Sequence, residues 1–557
     1  MDSPDLVERC DRLAVLADRR LAFPTANSAA AARAQQLHNH LDGFVRPRLA
    51  DIDAPLLVLL VGPTGAGKSS LLNTIAGAQV SKAGVLRPTT RDAVLYASES
   101  DSRRILASGR LTVIAKERLR VAAAPASTDG VAVIDAPDVD SVERDNRELA
   151  DVLVESCDLC VFVTTATRYA DLVPWEVLQR VRERGLPLVV VLNRVPADAQ
   201  DRAAVVADAK RLLGQTGARN GQERVDVIVV GEGDVDPQVD GLERENVRPL
   251  LEQIARLAAE ADERRDVAAR ALAGALRGLA PLVHAVADDL EHEAIDADAL
   301  RRITVSAYAE ELASLTRALG AGLILREEVL RRWNEFVGAD QVARFISSGI
   351  GRLRAMLLTV FRGAADAPVT VVEAEVTTTL EALALRHASD AARRTALAWS
   401  DRSEAVALIA RDPALWSASE GFGPAIQERL GAWMRAIVDD VRAHAGRKRA
   451  IAQVAALGVN AVGVAVMLGV FVHTAGLTGT ELGIAAGTAL LNQKLLEAIF
   501  GEGAMAELIA NARARLVDLL TTLFEAERKR FEALVPPPGN LRELATALRH
   551  AVDGIGP

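Results

Sequence analysis

Aromatic residues and cysteines are scarce in this sequence, and acidic residues outnumber basic ones. Aromatic residues account for 3% of the 557 positions and hydrophobic residues for 50%, a composition that favours long helices rich in alanine and leucine. The formal net charge of −10 offers no general basic surface for a phosphate backbone, so we expect no nucleic-acid partner. The length is too great for one hydrophobic core and predicts roughly two to four structural units.

The three cysteines are too few for a disulfide framework. Cys157 and Cys160 have the spacing of a metal or redox pair, yet no second Cys or His pair at zinc spacing accompanies them. Buried core thiols are therefore the favoured interpretation. Because the first residues lack the basic, apolar and small-residue pattern of a secretory leader, we expect a reduced, cytoplasmic environment.

The chain is organised around an apolar strand that runs into a phosphate-binding motif. Six apolar residues at 56–61 follow Pro55 and precede a complete G-x-x-x-x-G-K-S motif and an apolar helix. The motif and the residue after it are Gly62, Pro63, Thr64, Gly65, Ala66, Gly67, Lys68, Ser69 and Ser70. A glycine-rich turn that binds nothing is the alternative, but a full motif between a strand and a helix favours a nucleotide site.

The residue types in this motif suit the phosphates of a nucleotide. Gly62 and Gly67 let the backbone fold tightly, so that successive N–H groups and the helix N-terminus point at negative charge. Lys68 would then reach the outer phosphates, and the Ser69 hydroxyl would hold Mg²⁺.

Two later fragments fit the same site. In P-loop GTPases a threonine at about the distance of Thr90 from the lysine completes the Mg²⁺ shell and senses the γ-phosphate, and Thr89 is the second choice. Farther on, an apolar strand at 130–134 ends in Asp135-Ala136-Pro137-Asp138. At the end of this strand, Asp135 would hold a Mg²⁺-bound water.

In these motifs the chain resembles the dynamin-like large GTPases, and more particularly their bacterial members. The resemblance rests on residues 62–69, 87–91 and 135–137, and on the long helical remainder with a hydrophobic insert near its end. It implies an α/β P-loop GTPase domain with a mostly parallel sheet and helices on both faces, joined to a long α-helical bundle or stalk with a hydrophobic tip hairpin. It also implies GTP and Mg²⁺ as cofactors, GTP hydrolysis, and self-association through the nucleotide domain and the helical bundle.

The catalytic motifs depart from the dynamin pattern in two places. Asp138 stands next to the γ-phosphate, where dynamins have a glycine. Thr64 takes the loop position that carries a polar, water-orienting residue in dynamins, and Gly65 follows it. The resemblance thus implies Lys68, Thr64 and Thr90 as candidate catalytic residues, in a site with a reduced or differently assisted hydrolysis step.

The base-reading stretch departs further from the family pattern Asn/Thr-Lys-x-Asp, because it is Asn193-Arg194-Val195-Pro196. Asn193 would hold the phosphate-binding loop, and the stem of Arg194 would cover the base. Pro196 has no side-chain acceptor for the guanine edge, so guanine selectivity loses its usual source. Asp198 could read the base only in a remodelled loop.

From about residue 248 the apolar residues recur at helical spacing, and no group of residues typical of a catalytic or metal site is found. The second informative stretch lies near the end of this helical region. The basic cluster 447–449 precedes residues 454–472, which contain 19 residues and no charge. This length is close to the ~20 residues needed to cross a bilayer core, and a shorter apolar run at 482–491 follows a turn. We expect residues 454–491 to contact a lipid membrane as a hairpin, at the cytoplasmic face of the cell membrane. A buried helical hairpin within a soluble bundle is the alternative.

These observations predict five segments. They are N-terminal neck or stalk helices at 1–54, the GTPase domain at 55–247, a helical bundle at 248–446, the hydrophobic hairpin at 447–503, and a return helix with a C-terminal neck helix at 504–557. Two function classes stay open. One is a mechanochemical GTPase that bends, tethers or fuses membrane. The other is a nucleotide-switched regulatory or scaffold protein with little hydrolysis, an interpretation that Asp138, Gly65 and Pro196 favour.

Overall fold

A computed structural model describes most of the chain and divides it into two compact units. The residues described are 4–81, 92–111, 114, 116–140, 144–217, 225–320, 327–337, 367–445, 458–472 and 483–555. Met1–Ala294 and Pro538–Pro557 form the first unit, which we call the head unit. Ile295–Pro537 form the second, which we call the helical unit.

A seven-stranded sheet is the centre of the head unit. Its strands follow the order β3-β2-β4-β1-β5-β6-β7, and neighbouring strands run parallel except that β2 is antiparallel to β4. The strands are β1 (Leu56–Val61), β2 (Ala93–Ala97), β3 (Leu119–Ala123), β4 (Val131–Asp135), β5 (Leu159–Thr165), β6 (Leu188–Val195) and β7 (Asp226–Gly231). A separate two-stranded ribbon pairs β8 (Val235–Asp236) with β9 (Gly241–Leu242). The α/β P-loop architecture predicted from the motifs is confirmed.

Helices cover both faces of this sheet. They are α1 (Pro4–Leu21), α2 (Ser28–His40), α3 (Arg46–Ala50), α4 (Lys68–Ala76), α5 (Glu99–Ala107), α6 (Arg144–Ser156), α7 (Leu172–Glu183), α8 (Ala199–Gly217), α9 (Arg248–Ala259) and the first part of α10 (Ala261–Gly320). Every residue of β1 is buried, since Leu57 and Leu59 face one helical layer and Val58 and Leu60 face the other. An apolar strand without polar alternation is what a central parallel strand requires.

The two ends of the chain pack together in the head unit. The N-terminal helix α1 contacts the last helix of the chain, Pro538–Val552. Leu13 and Ala17 on α1 and Leu544 and Leu548 on the last helix belong to the same buried cluster. This cluster gives the amphipathic N-terminal helix a partner far away in sequence. The predicted core thiols are also confirmed, because all three cysteines are free and buried.

A buried ionic cluster stabilises the end of the sheet opposite the phosphate-binding loop. The Oδ2 atom of Asp158 accepts hydrogen bonds from Arg48 Nη2 at 2.6 Å, Arg110 Nη2 at 2.7 Å and the Leu57 N–H at 2.8 Å. Burial raises the pKa of Asp158, but Arg110, Arg48 and the Leu57 N–H outweigh it, so the pKa lies below its usual value. The stability that this group contributes is present above its unfolded-state pKa and is lost as pH falls through the lower folded-state value.

We expect Asp158→Asn to lower the free energy of unfolding of the head unit by about 3–5 kcal/mol, because two buried guanidinium groups lose their counter-charge. Urea titration followed by circular dichroism measures this loss. Asp5→Asn is the matched control, since it breaks an exposed pair with Arg9 and should cost no more than about 1 kcal/mol. Equal losses in the two variants would contradict a stabilising role for the cluster.

The helical unit is built from the second part of α10 and from helices that follow it. They are α11 (Glu327–Val337), α12 (Ala367–Ser400), α13 (Val406–Arg411), α14 (Phe422–Ala445), α15 (Val459–Val472), α16 (Gly483–Phe500) and α17 (Glu502–Glu532), after which α18 (Pro538–Val552) returns the chain to the head unit. Edge-to-face aromatic contacts join Tyr308, Trp399, Phe422, Phe524 and Phe531 in its core. Five of the chain's 19 aromatic residues therefore pack together in this one core.

The uncharged helix α15 lies inside the helical unit. Residues 461–471 are all buried, and α15 packs against α14, α16 and α17. The amide Nδ2 of Asn492 donates to the Ala465 carbonyl at 2.8 Å. In this arrangement the described part of the hydrophobic segment is bundle core, as in the alternative given above. The basic cluster 447–449, residues 454–457 and the turn at 473–482 lie outside the described residues.

Within the part of the chain that the structure describes, no helix combines the length and the hydropathy needed to span a membrane.

Candidate functional site

The candidate site lies at the carboxyl edge of β1, where the topology of the sheet creates a crevice. The strand β1 has β4 on one side and β5 on the other. From β1 the chain passes to β2, which lies on the β4 side, whereas from β5 it passes to β6 on the opposite side. Ligands of open α/β sheets bind at this kind of switch point. The phosphate-binding loop, Asp135 at the end of β4, and Asn193 near the end of β6 meet there.

Two glycines of the loop are required by close approach of other atoms. A Cβ on Gly62 would lie 1.9 Å from the Val163 carbonyl oxygen. Gly67 has a φ of 99°, and its Cβ would lie 2.5 Å from Asn193 Nδ2. Gly65 has a φ of 74° and no described heavy atom within 4 Å of its Cβ position, so its side of the loop is open. Helix α4 begins at Lys68, and its N-terminal N–H groups favour an anion at the loop.

Ser69 and Asp135, two of the residues predicted to hold Mg²⁺, are in contact. Asp135 Oδ2 accepts hydrogen bonds from Ser69 Oγ at 2.7 Å and Ser81 Oγ at 3.0 Å. Its Oδ1 is buried and has no hydrogen-bond partner among the described residues. Burial raises the pKa of Asp135, although Lys68 lies close enough to oppose this shift. A buried, unpartnered carboxylate oxygen beside a serine hydroxyl fits Mg²⁺, which prefers oxygen ligands. Thr90 and Thr89 lie outside the described residues.

The ammonium group of Lys68 is occupied by a carboxylate of the chain itself. Lys68 Nζ lies 2.5 Å from Asp138 Oδ1 and donates to the carbonyls of Gly62 at 3.0 Å and Pro63 at 3.2 Å. The Lys68 side chain is 4% exposed and that of Asp138 is 9% exposed. An incoming phosphate must therefore replace Asp138 as the counter-charge of Lys68.

We expect Asp138→Asn to tighten nucleotide binding by about tenfold, or about 1.4 kcal/mol, because the amide competes less well than a carboxylate for Lys68. Titration with fluorescent GTP measures the affinity. Asp201→Asn, at an exposed position on α8, is the control and should leave the affinity unchanged. Weaker binding in Asp138→Asn would instead make Asp138 a ligand of the nucleotide or its metal.

A second carboxylate and an arginine, which the motifs did not predict, lie at the same loop. Asp140 Oδ1 accepts from Thr64 N at 2.7 Å and from Thr64 Oγ1 at 2.8 Å. Arg168 Nη2 donates to Asp140 Oδ2 at 2.6 Å, and Nη1 donates to the Thr64 carbonyl at 3.0 Å. Burial raises the pKa of Asp140, but the bonds from Thr64 and Arg168 hold it below its usual value. The sequence indicates Asp140 and Arg168 only as charged residues that shortly follow an apolar strand, β4 and β5 respectively.

The base-reading stretch is shaped by a bulge in β6. Leu192 pairs with Val229, whereas Val195 pairs with Gly231, so β6 contains one extra residue between these pairs. Asn193 Nδ2 donates to the Ala66 carbonyl of the loop at 2.9 Å, the contact expected from sequence. The next residue, Arg194, has a φ of 53°. Strain of this kind in a residue other than glycine is typical of functional sites.

The remaining site residues have structural contacts. Asp198 caps α8, because its Oδ1 accepts from the N–H groups of Gln200 at 2.9 Å and Asp201 at 3.0 Å. Ser70 lies in α4, where its carbonyl accepts from Thr74 Oγ1 at 2.9 Å. The carbonyl of Pro196 accepts from Arg202 Nε at 3.3 Å. Asp198 is thus engaged in helix capping in this conformation.

Comparisons with known proteins agree with a nucleotide-binding head. Residues 57–194 match the model of a family described as 50S ribosome-binding GTPase. No curated protein is detectably similar to the chain in sequence.

Solved structures similar to the chain include two from an oligomerised bacterial dynamin pair, which is described as providing a mechanism for long-range sensing and tethering of membranes. They are 11% identical, with TM-scores of 0.39 and 0.40, and the matches cover 95% and 98% of this chain and 96% and 94% of those chains. Another comes from the chloroplast translocon components atToc33 and psToc159, for whose GTPase activity dimerisation is described as important. It is 17% identical with a TM-score of 0.25, and the match covers 43% of this chain and 94% of that one.

The chain therefore contains a P-loop GTPase domain, joined to a long α-helical region. This follows from the phosphate-binding loop, the sheet that presents it and the family match over residues 57–194.

Proposed function

We propose that the protein is a bacterial dynamin-like GTPase that couples GTP binding, self-association and GTP hydrolysis to the binding and remodelling of a membrane. The observation that carries this proposal is the convergence of Lys68, Ser69 and Asp135 at one edge of a parallel sheet. The order of the segments adds support, since a GTPase domain is followed by a long helical region with an uncharged helix near its end.

The nucleotide is GTP, bound with Mg²⁺. Lys68 and the loop N–H groups would hold the outer phosphates, and Ser69, Thr90 and Asp135 would hold the metal. When bound, Mg²⁺ neutralises charge on the phosphate oxygens. Asn193 keeps the loop in place through the Ala66 carbonyl, and the Arg194 stem would cover the base.

The membrane contact is residues 454–491, at the cytoplasmic face of the cell membrane. In the described conformation α15 is enclosed by helices of its own unit, so lipid binding requires that α15 leave these neighbours. The proposed layout keeps the segment bounds predicted from sequence, with helices at 1–54 and 504–557 on either side of the GTPase domain and bundle. Self-association would use the nucleotide domain and the helical bundle.

A nucleotide-switched scaffold with little hydrolysis is the second candidate. The contact between Asp138 and Lys68 favours this candidate. The Asp138 carboxylate takes the place of a phosphate on Lys68 and so stabilises the nucleotide-free state. Pro196, which offers no side-chain acceptor to a base, also favours it.

Measurement of GTP turnover with and without anionic liposomes, together with liposome flotation, separates the two candidates. Turnover stimulated by liposomes that carry the protein to the top of the gradient supports the dynamin-like function. GTP binding without turnover, in the presence or absence of lipid, would support the scaffold and overturn the first proposal.

A further inference from the structure

An arginine outside the nucleotide motifs, Arg168, reaches the phosphate-binding loop. Arg168 lies between β5 and α7, where its backbone N–H donates to the Thr165 carbonyl at 3.0 Å and forms a turn. Because β5 is a direct neighbour of β1, this turn stands beside the loop that follows β1. The Arg168 side chain is 29% exposed, so it is accessible from the open side of the site.

All three nitrogens of the Arg168 guanidinium are engaged. Nη1 donates to the Thr64 carbonyl at 3.0 Å, Nη2 to Asp140 Oδ2 at 2.6 Å, and Nε to Asp171 Oδ2 at 2.8 Å. Two carboxylates thus fix the planar group in one orientation, with one edge against the loop backbone. A guanidinium held in this way loses little side-chain entropy when it binds a further anion.

The end of the loop that Arg168 contacts is the end at which the outermost phosphate should lie. Lys68 is the residue expected to hold that phosphate, and its Nζ lies within 3.2 Å of the carbonyls of Gly62 and Pro63. Thr64 is the next residue along the loop. Lys68 at the start of α4 and Arg168 in the turn after β5 therefore approach the same end of the loop.

Carboxylates of one short segment now occupy the donors at this end of the loop. Asp138 lies on Lys68, and Asp140 lies on the Thr64 N–H and on Arg168. The intervening Val139 N–H donates to the Gly62 carbonyl at 3.4 Å. A cation, a backbone N–H and a guanidinium are the donors that a phosphate group with three outer oxygens can use. Displacement of this segment by nucleotide would free Arg168 Nη2 toward the phosphate.

We propose that Arg168 is the catalytic arginine of the GTP hydrolysis, supplied by the same chain, and that Asp171 is its positioning residue. This assignment rests on the proposed function. In the reaction a water oxygen bonds to the γ-phosphorus, and the bond from this phosphorus to the bridging oxygen breaks. The electron pair of that bond stays on GDP, and the water proton passes to the departing inorganic phosphate. Arg168 forms no covalent bond, and its N–H groups stabilise the charge on the phosphate oxygens during transfer.

The test compares the full-length parent with Arg168→Ala, Arg168→Lys and Arg180→Ala. Arg180 is the matched control, because it is also half-buried and paired with a carboxylate, Asp151, but lies on α7 without a contact to the loop among those described. Single-turnover hydrolysis gives the rate, fluorescent GTP gives the affinity, and trapping of GDP with aluminium fluoride reports the transition-state geometry.

We expect Arg168→Ala to lower the hydrolysis rate by about 10³-fold or more, to keep the GTP affinity within about threefold, and to lose aluminium fluoride trapping. Arg168→Lys should recover little of the rate, because an ammonium cannot reproduce the planar fork. Arg180→Ala should behave as the parent does.

Three results would overturn the assignment. If Arg168→Ala hydrolyses GTP as fast as Arg180→Ala, Arg168 is not catalytic. If its GTP affinity falls in parallel with the rate, Arg168 is a structural residue of the loop. A parent that binds GTP without turnover overturns the proposed hydrolysis, and the role of Arg168 with it, whereas the first two results leave the proposed function in place.

Discussion

Lys68→Ala is expected to weaken GTP binding by at least about 100-fold, because the outer phosphates lose a charge-assisted contact that contributes roughly 3 kcal/mol. The structure adds a second effect. Asp138 is 9% exposed, and without Lys68 its carboxylate has lost its nearest cation. The variant should therefore also unfold more easily, since an uncompensated buried charge destabilises a fold.

The double variant Lys68→Ala/Asp138→Asn separates these two effects. It should recover the stability of the head unit, because no buried carboxylate remains at that position, but it should not recover GTP binding. Lys210→Ala, at an exposed position on α8, serves as the control for loss of a lysine charge. Titration with labelled GTP and urea unfolding provide the two measurements. Parental affinity in Lys68→Ala would show that Lys68 is not the phosphate ligand.

Val464→Asp combined with Val466→Asp is expected to unfold the helical unit while GTP binding by the head unit persists. The two valines are 0% and 1% exposed within the core of the helical unit. Each substitution would bury a carboxylate without a cation, at a cost of several kcal/mol. Denaturation followed by circular dichroism should show loss of the helical transition. Val371→Asp on α12, where Val371 is 44% exposed, is the control and should fold normally.

The same double variant tests the membrane role of this segment. If α15 leaves the bundle and enters lipid, each aspartate should cost roughly 2.5–3.5 kcal/mol of insertion at the centre of a span. A folded double variant that no longer floats with liposomes, beside a parent that does, would support insertion. A misfolded variant beside a parent that never floats would identify α15 as bundle core and contradict the membrane role.

The part of the candidate nucleotide site that consists of consecutive residues could be predicted from the sequence. Gly62 to Ser69 form one continuous loop, and the apolar run before them is long enough for one buried strand. Asp135 could be expected beside the loop because the carboxyl ends of parallel strands meet at one edge of a sheet, and it accepts a hydrogen bond from Ser69 Oγ. Asn193 follows from the same rule, and its contact with the Ala66 carbonyl agrees with the role expected for it.

Arg168 and Asp140 could not be found in this way. They follow β5 and β4, and no fixed spacing links either residue to the loop motif. Their contacts with Thr64 depend on the strand order, which places β4 and β5 on the two sides of β1. The pairing of Asp138 with Lys68 likewise depends on how the chain turns after β4. The sequence shows that Asp138 stands where dynamins have a glycine, but it does not indicate which residue this carboxylate contacts.

The sequence by itself determined the local features of this protein: the phosphate-binding loop, the apolar strand before it, the helical character of the second half and the absence of charge from 454–472. Each of these depends on the types and spacing of neighbouring residues. Only the tertiary structure decided which groups meet across the chain. It paired α1 with α18, placed Asp158 between Arg48 and Arg110, and enclosed α15 among helices of its own unit. The physical reason is that an apolar helix can be shielded from water equally well by lipid or by other apolar side chains. Its surroundings therefore depend on which helices the fold places beside it.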